Sequence, residues 1–212
     1  MAGKTKVGIL ALQGAVEPHA RHLEQLGAEV VRVRKPNHLL GLSGVILPGG
    51  ESSAMIHLLK LNQLWEPLRD FVACKPVLGV CAGAILLAKQ VTHPEQISLE
   101  AIDIHVVRNA YGRQNESFLA PLSSSPEWKG DAIQGVFIRA PRLRPLHDGV
   151  HVLFRYQSEP VMVEQGKKLA ASFHPELTDS LAVHHYFLNK CQNEDAPWMI
   201  ASQSTSGSLS LN

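Results

Sequence analysis

Strand-like and helix-like patterns of hydrophobic residues alternate through the first half of the chain. The apolar run at residues 7–12 has the length of a strand that is buried on both faces. Apolar positions then recur at helical spacing over residues 16–26, and Gly27 follows as a left-handed C-terminal cap. A second strand is predicted at residues 29–33. This order predicts a sheet that begins with parallel strands.

The alternation continues to about residue 89. Strands are predicted at residues 44–47 and 76–80, and helices after Gly50, around residues 64–72 and at residues 82–89. Parallel strands joined by helical crossovers place helices on both faces of the sheet. We therefore predict an α/β domain of three layers.

The second half has a different pattern, with short apolar runs separated by turn-rich stretches. These runs are residues 102–107, 135–138, 151–154, 160–163 and 169–173. They lack helical periods, so we predict antiparallel or mixed pairing there, followed by a helix at residues 180–189. From Gln192 the chain turns to Ser, Asn, Gln and Gly. We expect one domain at residues 1–191 and a disordered tail at residues 192–212.

Composition narrows the possible partners and compartments. The net charge of +1 does not indicate a basic protein of the kind that binds nucleic acid or an anionic membrane. Neither a signal peptide nor an apolar stretch long enough for a membrane helix is evident. The three cysteines show no CxxC spacing, which argues against a disulfide framework and a zinc site. We expect a cytoplasmic protein with no cofactor.

The first candidate for chemistry is Cys81, at the junction of a predicted strand and a predicted helix. Gly79 and Gly83 stand two residues to either side, where a sharp strand-to-helix turn leaves little room for side chains. Such a turn exposes a nucleophile, and a following helix and a nearby imidazole would stabilise its thiolate. The alternative interpretation is a small buried hydrophobic residue.

The second candidate is the pair His174 and Glu176, at the end of a predicted strand. Residues i and i+2 of an extended chain point to the same side, so Glu176 can orient the imidazole. Brought to Cys81 by the fold, the pair would complete a Cys-His-Glu triad.

A third candidate is the loop at residues 48–51, Pro-Gly-Gly-Glu, which we call the glycine loop. It follows a predicted strand and opens a helix, so its backbone amides can face an anion. The Gly50 amide, together with that of Ala82, would form an oxyanion hole.

Together these three motifs resemble the class I (triad) glutamine amidotransferases, which have a flavodoxin-like fold with a mixed, largely parallel sheet. Within that group, the chain is similar to the glutaminase subunits of pyridoxal 5′-phosphate synthase. Four segments carry this closer resemblance: residues 8–15, 107–114, 135–141 and 172–178. Ser53 and Ala54 depart from it, because the family usually has two threonines there.

The resemblance implies hydrolysis of L-glutamine to L-glutamate and ammonia. The ammonia would pass, inside a hetero-oligomer, to a TIM-barrel synthase subunit that makes pyridoxal phosphate. It also implies substrate contacts and, at Gln13 and Gly14, contacts with the synthase. The substrate contacts are Gly50, Glu51, Ser52, Arg108, Ile138 and Arg139. A guanidinium suits the substrate's α-carboxylate.

Three alternatives stay open. The chain could be the glutaminase of imidazole glycerol phosphate synthase, although residues 108–114 and 135–141 argue against it. It could be a catalytically silent partner that regulates a synthase, or a cysteine peptidase on the same fold.

The remaining histidines and cysteines carry no predicted function. His19 and His22 share a helix face, and His184 and His185 are adjacent, but no further ligands stand at matched spacing. We predict packed or solvated histidines and assign no metal. Cys74 and Cys191 lack flanking glycines and are expected to be inert.

Overall fold

The computed structural model describes residues 3–108 and 117–192 of the 212-residue chain. Two predictions fall largely outside these ranges. They are residues 109–114 of the segment 107–114 that carries part of the family resemblance, and the predicted tail, of which only Gln192 is described.

Helices and strands alternate in the first half, as predicted. Its elements are β1 (Lys6–Leu10), α1 (Val16–Gln25), β2 (Glu29–Val33), β3 (Gly44–Leu47), α2 (Ser52–Leu61), α3 (Trp65–Cys74), β4 (Val77–Val80), α4 (Ala82–Leu87) and β5 (Ala88–Thr92). The second half is mostly strands: β6 (Ile102–Val107), β7 (Phe118–Pro121), β8 (Ser123–Ser124), β9 (Gln134–Phe137), β10 (Arg142–Pro145), β11 (His151–Tyr156), β12 (Glu159–Gln165) and β13 (Lys168–Ala171). Helix α5 (Ala182–Gln192) follows. Short 3₁₀ turns precede β3 and follow β13.

The main sheet is mixed and largely parallel. Over the described residues its strand order is β2-β1-β3-β4-β13-β12-β11-β8. The strands from β2 to β13 in this order are parallel, and β12, β11 and β8 add antiparallel pairs. The predicted α/β class is therefore confirmed. In addition, β10-β6-β5 and β7-β9 form two small sheets.

Two apolar cores cover the two faces of the main sheet. Successive residues of a strand point to opposite faces, so Val45 and Leu47 of β3 pack with α2, α3 and α4, whereas Ile46 packs with α1 and α5. The same division holds in β13, where Ala170 and Leu169 belong to different cores. This arrangement gives the three layers that the sequence predicts.

Several predicted boundaries were wrong. The helix predicted at residues 82–89 ends at Leu87, because the chain continues as β5 and pairs in parallel with β6. Strands β7, β8 and β10 had no prediction, because each is at most 4 residues long and too short to show a period. Helix α5 begins two residues later than predicted and extends three residues farther, to Gln192.

The four strand ends that carry the predicted chemistry are neighbours in the sheet. Gln13 and Gly14 follow β1, the glycine loop follows β3, Cys81 follows β4, and His174 follows β13. Because these strands are parallel, their carboxyl ends share one edge, where ligands bind in open α/β sheets. None of the described helices has the length and apolar character needed to cross a membrane.

Candidate active site

Cys81 occupies a strained turn between β4 and α4. Its φ of 50° and ψ of −103° lie in a backbone region that residues other than glycine rarely adopt. Its amide donates to the Ala171 carbonyl at 2.8 Å. A Cβ on Gly79 would lie 2.6 Å from the Gly83 carbonyl oxygen, and one on Gly83 would overlap the Leu47 carbonyl. Both glycines are therefore required for the turn, which has the geometry that the sequence predicts.

His174 and Glu176 form a buried pair just after β13. His174 Nδ1 donates to Glu176 Oε1 at 2.8 Å, and the two residues are 7% and 3% exposed. Burial alone would lower the pKa of His174. Hydrogen bonds to Cys81 and Glu176, together with the charges of both groups, outweigh burial and raise that pKa to about 10. His174 is thus suited to hold a proton beside the Cys81 sulfur.

Gly49, in the glycine loop, packs between His174 and Cys81. A Cβ built on it would lie 2.5 Å from His174 Cε1 and 3.6 Å from the Cys81 Cβ. The loop is also held from the other side, because the Ala15 amide donates to the Gly49 carbonyl at 3.3 Å. A Cβ on Gly14 would overlap that same carbonyl oxygen. The segment after β1 therefore limits where the glycine loop can lie.

Gln13 makes a second contact with the glycine loop. Its Nε2 donates to the Glu51 carbonyl at 2.7 Å. Gln13 and Gly14, predicted as partner contacts, thus both touch the loop predicted to hold the oxyanion. A protein that binds at Gln13 would have a direct route to that loop.

Arg108 reaches the site from the end of β6. Its Nη2 lies 3.3 Å from Glu51 Oε1, while its Nε is buried and has no hydrogen-bond partner among the described residues. Glu51 also caps α2, since its carboxylate accepts from the amides of Ser53 at 3.1 Å and Ala54 at 2.6 Å. Burial raises the pKa of Glu51, but these hydrogen bonds and Arg108 lower it overall. The ion pair with Glu51 therefore positions the Arg108 side chain at the cavity.

Gln96, which was not predicted as a site residue, accepts hydrogen bonds from both Ser52 and Ser53. The Ser52 and Ser53 hydroxyls lie 3.0 and 3.3 Å from Gln96 Oε1. Gln96 stands in the loop after β5, so a third segment supports the start of α2. No motif in the sequence indicated this contact.

The candidate residues surround one cavity of about 330 Å³. Its walls include every residue predicted for the triad, the oxyanion hole and the substrate: Gly50, Glu51, Ser52, Cys81, Ala82, Arg108, Ile138, Arg139, His174 and Glu176. Gly14 lines it as well. The size is at the lower end for ligand pockets, which suits a small molecule. The individual roles of these residues stay predictions.

The comparisons with known proteins agree with the motif resemblance. Residues 9–193 match the model of the SNO glutamine amidotransferase family. The chain belongs to that family. A relative from Solibacter usitatus, named pyridoxal 5′-phosphate synthase subunit PdxT, is 49% identical over 87% of this chain and 98% of its own length. Another relative of the same name, from Geobacillus kaustophilus, is 50% identical over 87% of this chain and 93% of its own length.

Solved structures give the same fold. A crystal structure described as a glutamine amidotransferase is 45% identical, with a TM-score of 0.81 over 88% of this chain and 98% of that chain. A structure described as a putative GMP synthase subunit from Thermoplasma acidophilum is 18% identical. Its TM-score is 0.65 over 91% of this chain and 96% of that chain. At that identity the likeness shows the fold alone.

The histidines set aside in the sequence analysis form a buried cluster beside the triad. His19 and His22 of α1 meet His184 of α5, and we call these three the histidine network. Exposed His185, by contrast, lies outside it. Over residues 3–108 and 117–192, no group of His, Cys, Asp or Glu has the arrangement of a metal site. His184 is more than 160 positions from its partners, so spacing along the chain could not reveal the network.

Proposed function

We propose that this member of the SNO family hydrolyses L-glutamine to L-glutamate and ammonia through a thioester at Cys81. The observation that carries the proposal is the cavity where Cys81, the His174–Glu176 pair and Arg108 meet. A nucleophile, a base with its orienting carboxylate, and a cation for the substrate carboxylate are the parts that this reaction needs.

In the first half-reaction, Cys81 Sγ bonds to the side-chain amide carbon of glutamine and His174 takes the thiol proton. The amides of Gly50 and Ala82 hold the resulting oxyanion. The carbon–nitrogen bond then breaks as His174 returns the proton to the leaving nitrogen, which releases ammonia and leaves a thioester. Glu176 keeps Nδ1 of His174 occupied, so the other ring nitrogen faces the reaction.

In the second half-reaction, water attacks the thioester carbon while His174 accepts a proton from it. The carbon–sulfur bond breaks, the sulfur regains a proton from His174, and L-glutamate leaves. Throughout, Arg108 binds the α-carboxylate, and Glu51, Ser52, Ile138 and Arg139 complete the wall around the substrate. The place of Arg108 in the cavity wall supports this role.

We further propose that the ammonia passes to a TIM-barrel synthase subunit of pyridoxal 5′-phosphate synthase, within a hetero-oligomer in the cytoplasm. The name that the relatives carry supports this partner. Gln13 and Gly14 would contact the synthase, and their contacts with the glycine loop would transmit its binding to the oxyanion hole. Three free thiols are in keeping with a reducing compartment.

The test measures glutamate release from L-glutamine by the purified chain, with and without a pyridoxal phosphate synthase subunit. We expect activity that rises with the synthase and that Cys81→Ala lowers by about four orders of magnitude or more. Cys74→Ala, which removes an exposed thiol, is the matched control and should keep full activity.

Each alternative outcome has a distinct meaning. Activity that does not change when the synthase is added would support the glutaminase reaction but point to a different synthase as partner, such as the imidazole glycerol phosphate enzyme. Folded protein with no activity in either condition would favour a silent regulatory partner. Activity that survives Cys81→Ala would refute the thioester mechanism.

A further inference from the structure

The carboxylate of Glu176 faces two imidazoles, of which the proposed mechanism uses one. Its Oε1 accepts from His174, whereas Oε2 lies 3.6 Å from Nε2 of His19 in α1. The His19 and Glu176 side chains are fully buried, and neither of these two atoms has a hydrogen-bond partner among the described residues. The gap is slightly too long for a hydrogen bond and too short to admit a bridging water.

The histidine network sets which nitrogen of His19 carries the proton. His19 Nδ1 lies 2.8 Å from His184 Nε2, and His184 Nδ1 lies 3.2 Å from His22 Nδ1. A neutral imidazole has one N–H, so protons along this chain must all point the same way. If they pointed away from Glu176, a bare His19 nitrogen would face a carboxylate oxygen. His22 also lies within hydrogen-bond reach of the Thr178 carbonyl, but a carboxylate repels a bare nitrogen more strongly than a carbonyl does, so the favourable direction runs from His22 through His184 to His19.

The surroundings keep His19 neutral, as this arrangement requires. Burial lowers the pKa of His19 well below its ordinary value, and the neighbouring imidazoles lower it further. His184 is likewise held neutral, because burial and then His22 lower its pKa to about 3. The titratable and charged groups around the network are Glu176, His174, Arg21 and Asp179.

We propose that His19 is a positioning residue for the triad: its Nε2–H donates to Glu176 Oε2 and holds the carboxylate in the orientation that keeps Oε1 on His174. A shift of roughly half an ångström closes the present gap to a hydrogen bond, and such contacts often tighten when substrate binds. The inference rests on the proposed function, since it assigns His19 to the same reaction. His19 does not line the cavity, so it acts through Glu176.

Two substitutions separate this role from simple packing. In His19→Gln the amide stands near the place of Nε2 and can still donate to Glu176. In His19→Asn the amide stands near the place of Nδ1, so it reaches His184 but not Glu176. We expect kcat to fall about tenfold to hundredfold in His19→Asn, with KM unchanged, and to stay within about threefold of wild type in His19→Gln. His185→Asn, an exposed neighbour of the network, is the control and should match wild type.

A second readout does not depend on glutamine. Iodoacetamide alkylates cysteine as its thiolate, and His174 is the base beside Cys81. When Glu176 is no longer held, the pKa of His174 falls and the rate of alkylation near neutral pH falls with it. All variants are made in a Cys74→Ser background, because Cys74 is an exposed competing thiol. The rate should fall in His19→Asn and be retained in His19→Gln.

The two readouts separate failure of this inference from failure of the proposed function. Equal kcat and alkylation rates in the Asn and Gln variants would overturn the positioning role, as would losses that merely follow the melting temperature. If wild type does not hydrolyse glutamine but alkylation still distinguishes the variants, the proposed function fails and the positioning of the Cys81–His174 pair by His19 is supported. Should His19→Asn not fold, His19→Leu replaces it with the same expected losses.

Discussion

Substitution of Gly14 by alanine tests whether the segment after β1 controls the glycine loop. Gly14 has a φ of +96°, and a Cβ there would overlap the Gly49 carbonyl oxygen. To reach van der Waals separation, that carbonyl must move by about 1 Å, which breaks its 3.3 Å hydrogen bond from the Ala15 amide. The adjoining Gly50 amide moves with it. Gly14→Ala should therefore remove one oxyanion donor.

The expected loss follows from that displacement. Removing one oxyanion donor typically lowers kcat by about 10²–10³-fold, and an ångström of misplacement has a similar effect. Gly27→Ala is the matched control, because Gly27 also has a positive φ, of +82°, but open space around its Cβ position. Both variants bear a strain of about 1–2 kcal/mol. Only Gly14→Ala should lose kcat.

The assay is glutaminase turnover with the synthase subunit titrated to saturation. Weaker association then raises the half-saturating synthase concentration, whereas a displaced glycine loop lowers kcat at saturation. Thermal melts of both variants measure the shared strain, at about 2–4 °C per kcal/mol for a chain of this size. The reasoning is refuted if Gly14→Ala keeps kcat within threefold of wild type, or if Gly27→Ala loses as much.

Two further predictions concern the substrate cation and the histidine network. Arg108→Lys should raise KM for glutamine about 10–100-fold with little change in kcat, because lysine lacks the planar guanidinium; steady-state kinetics showing an unchanged KM would argue against the assignment. His184 is neutral when folded, with a pKa of about 3 against 6.5 in the unfolded chain, so stability should fall as the pH drops from about 6.5 towards 3. His184→Leu should remove up to ~1.4 kcal/mol per pH unit of that slope in urea titrations, and an identical slope would contradict a neutral buried His184.

The sequence predicts the parallel half of the fold well because each element there has its own local signal. Buried strands such as β3 appear as uninterrupted apolar runs, and Gly27 ends α1 with the positive φ that its type allows. Strand β5 lacks such a signal. Its residues continue the pattern of α4, and pairing with β6 overrides that local preference.

The candidate site shows the same division. The elbow glycines and the His174–Glu176 spacing are local features, so the sequence alone indicates them. Gathering them around one cavity required the family resemblance, and the histidine network required the structure. His184 belongs to α5 and meets α1 only when both helices pack on the same face of the sheet.

The triad and the substrate wall depend on different parts of this architecture. Ala171 and Val80 are directly paired in the parallel register of β13 and β4, and the Cys81 amide bonds to the Ala171 carbonyl. Cys81 and His174, the proposed nucleophile and base, therefore follow adjacent strands, and the sheet sets their separation. The proposed substrate wall comes instead from loops, including Arg139 with its positive φ. Changes in these loops should alter KM and the response to a partner, whereas changes in the strand register should abolish both turnover and stability.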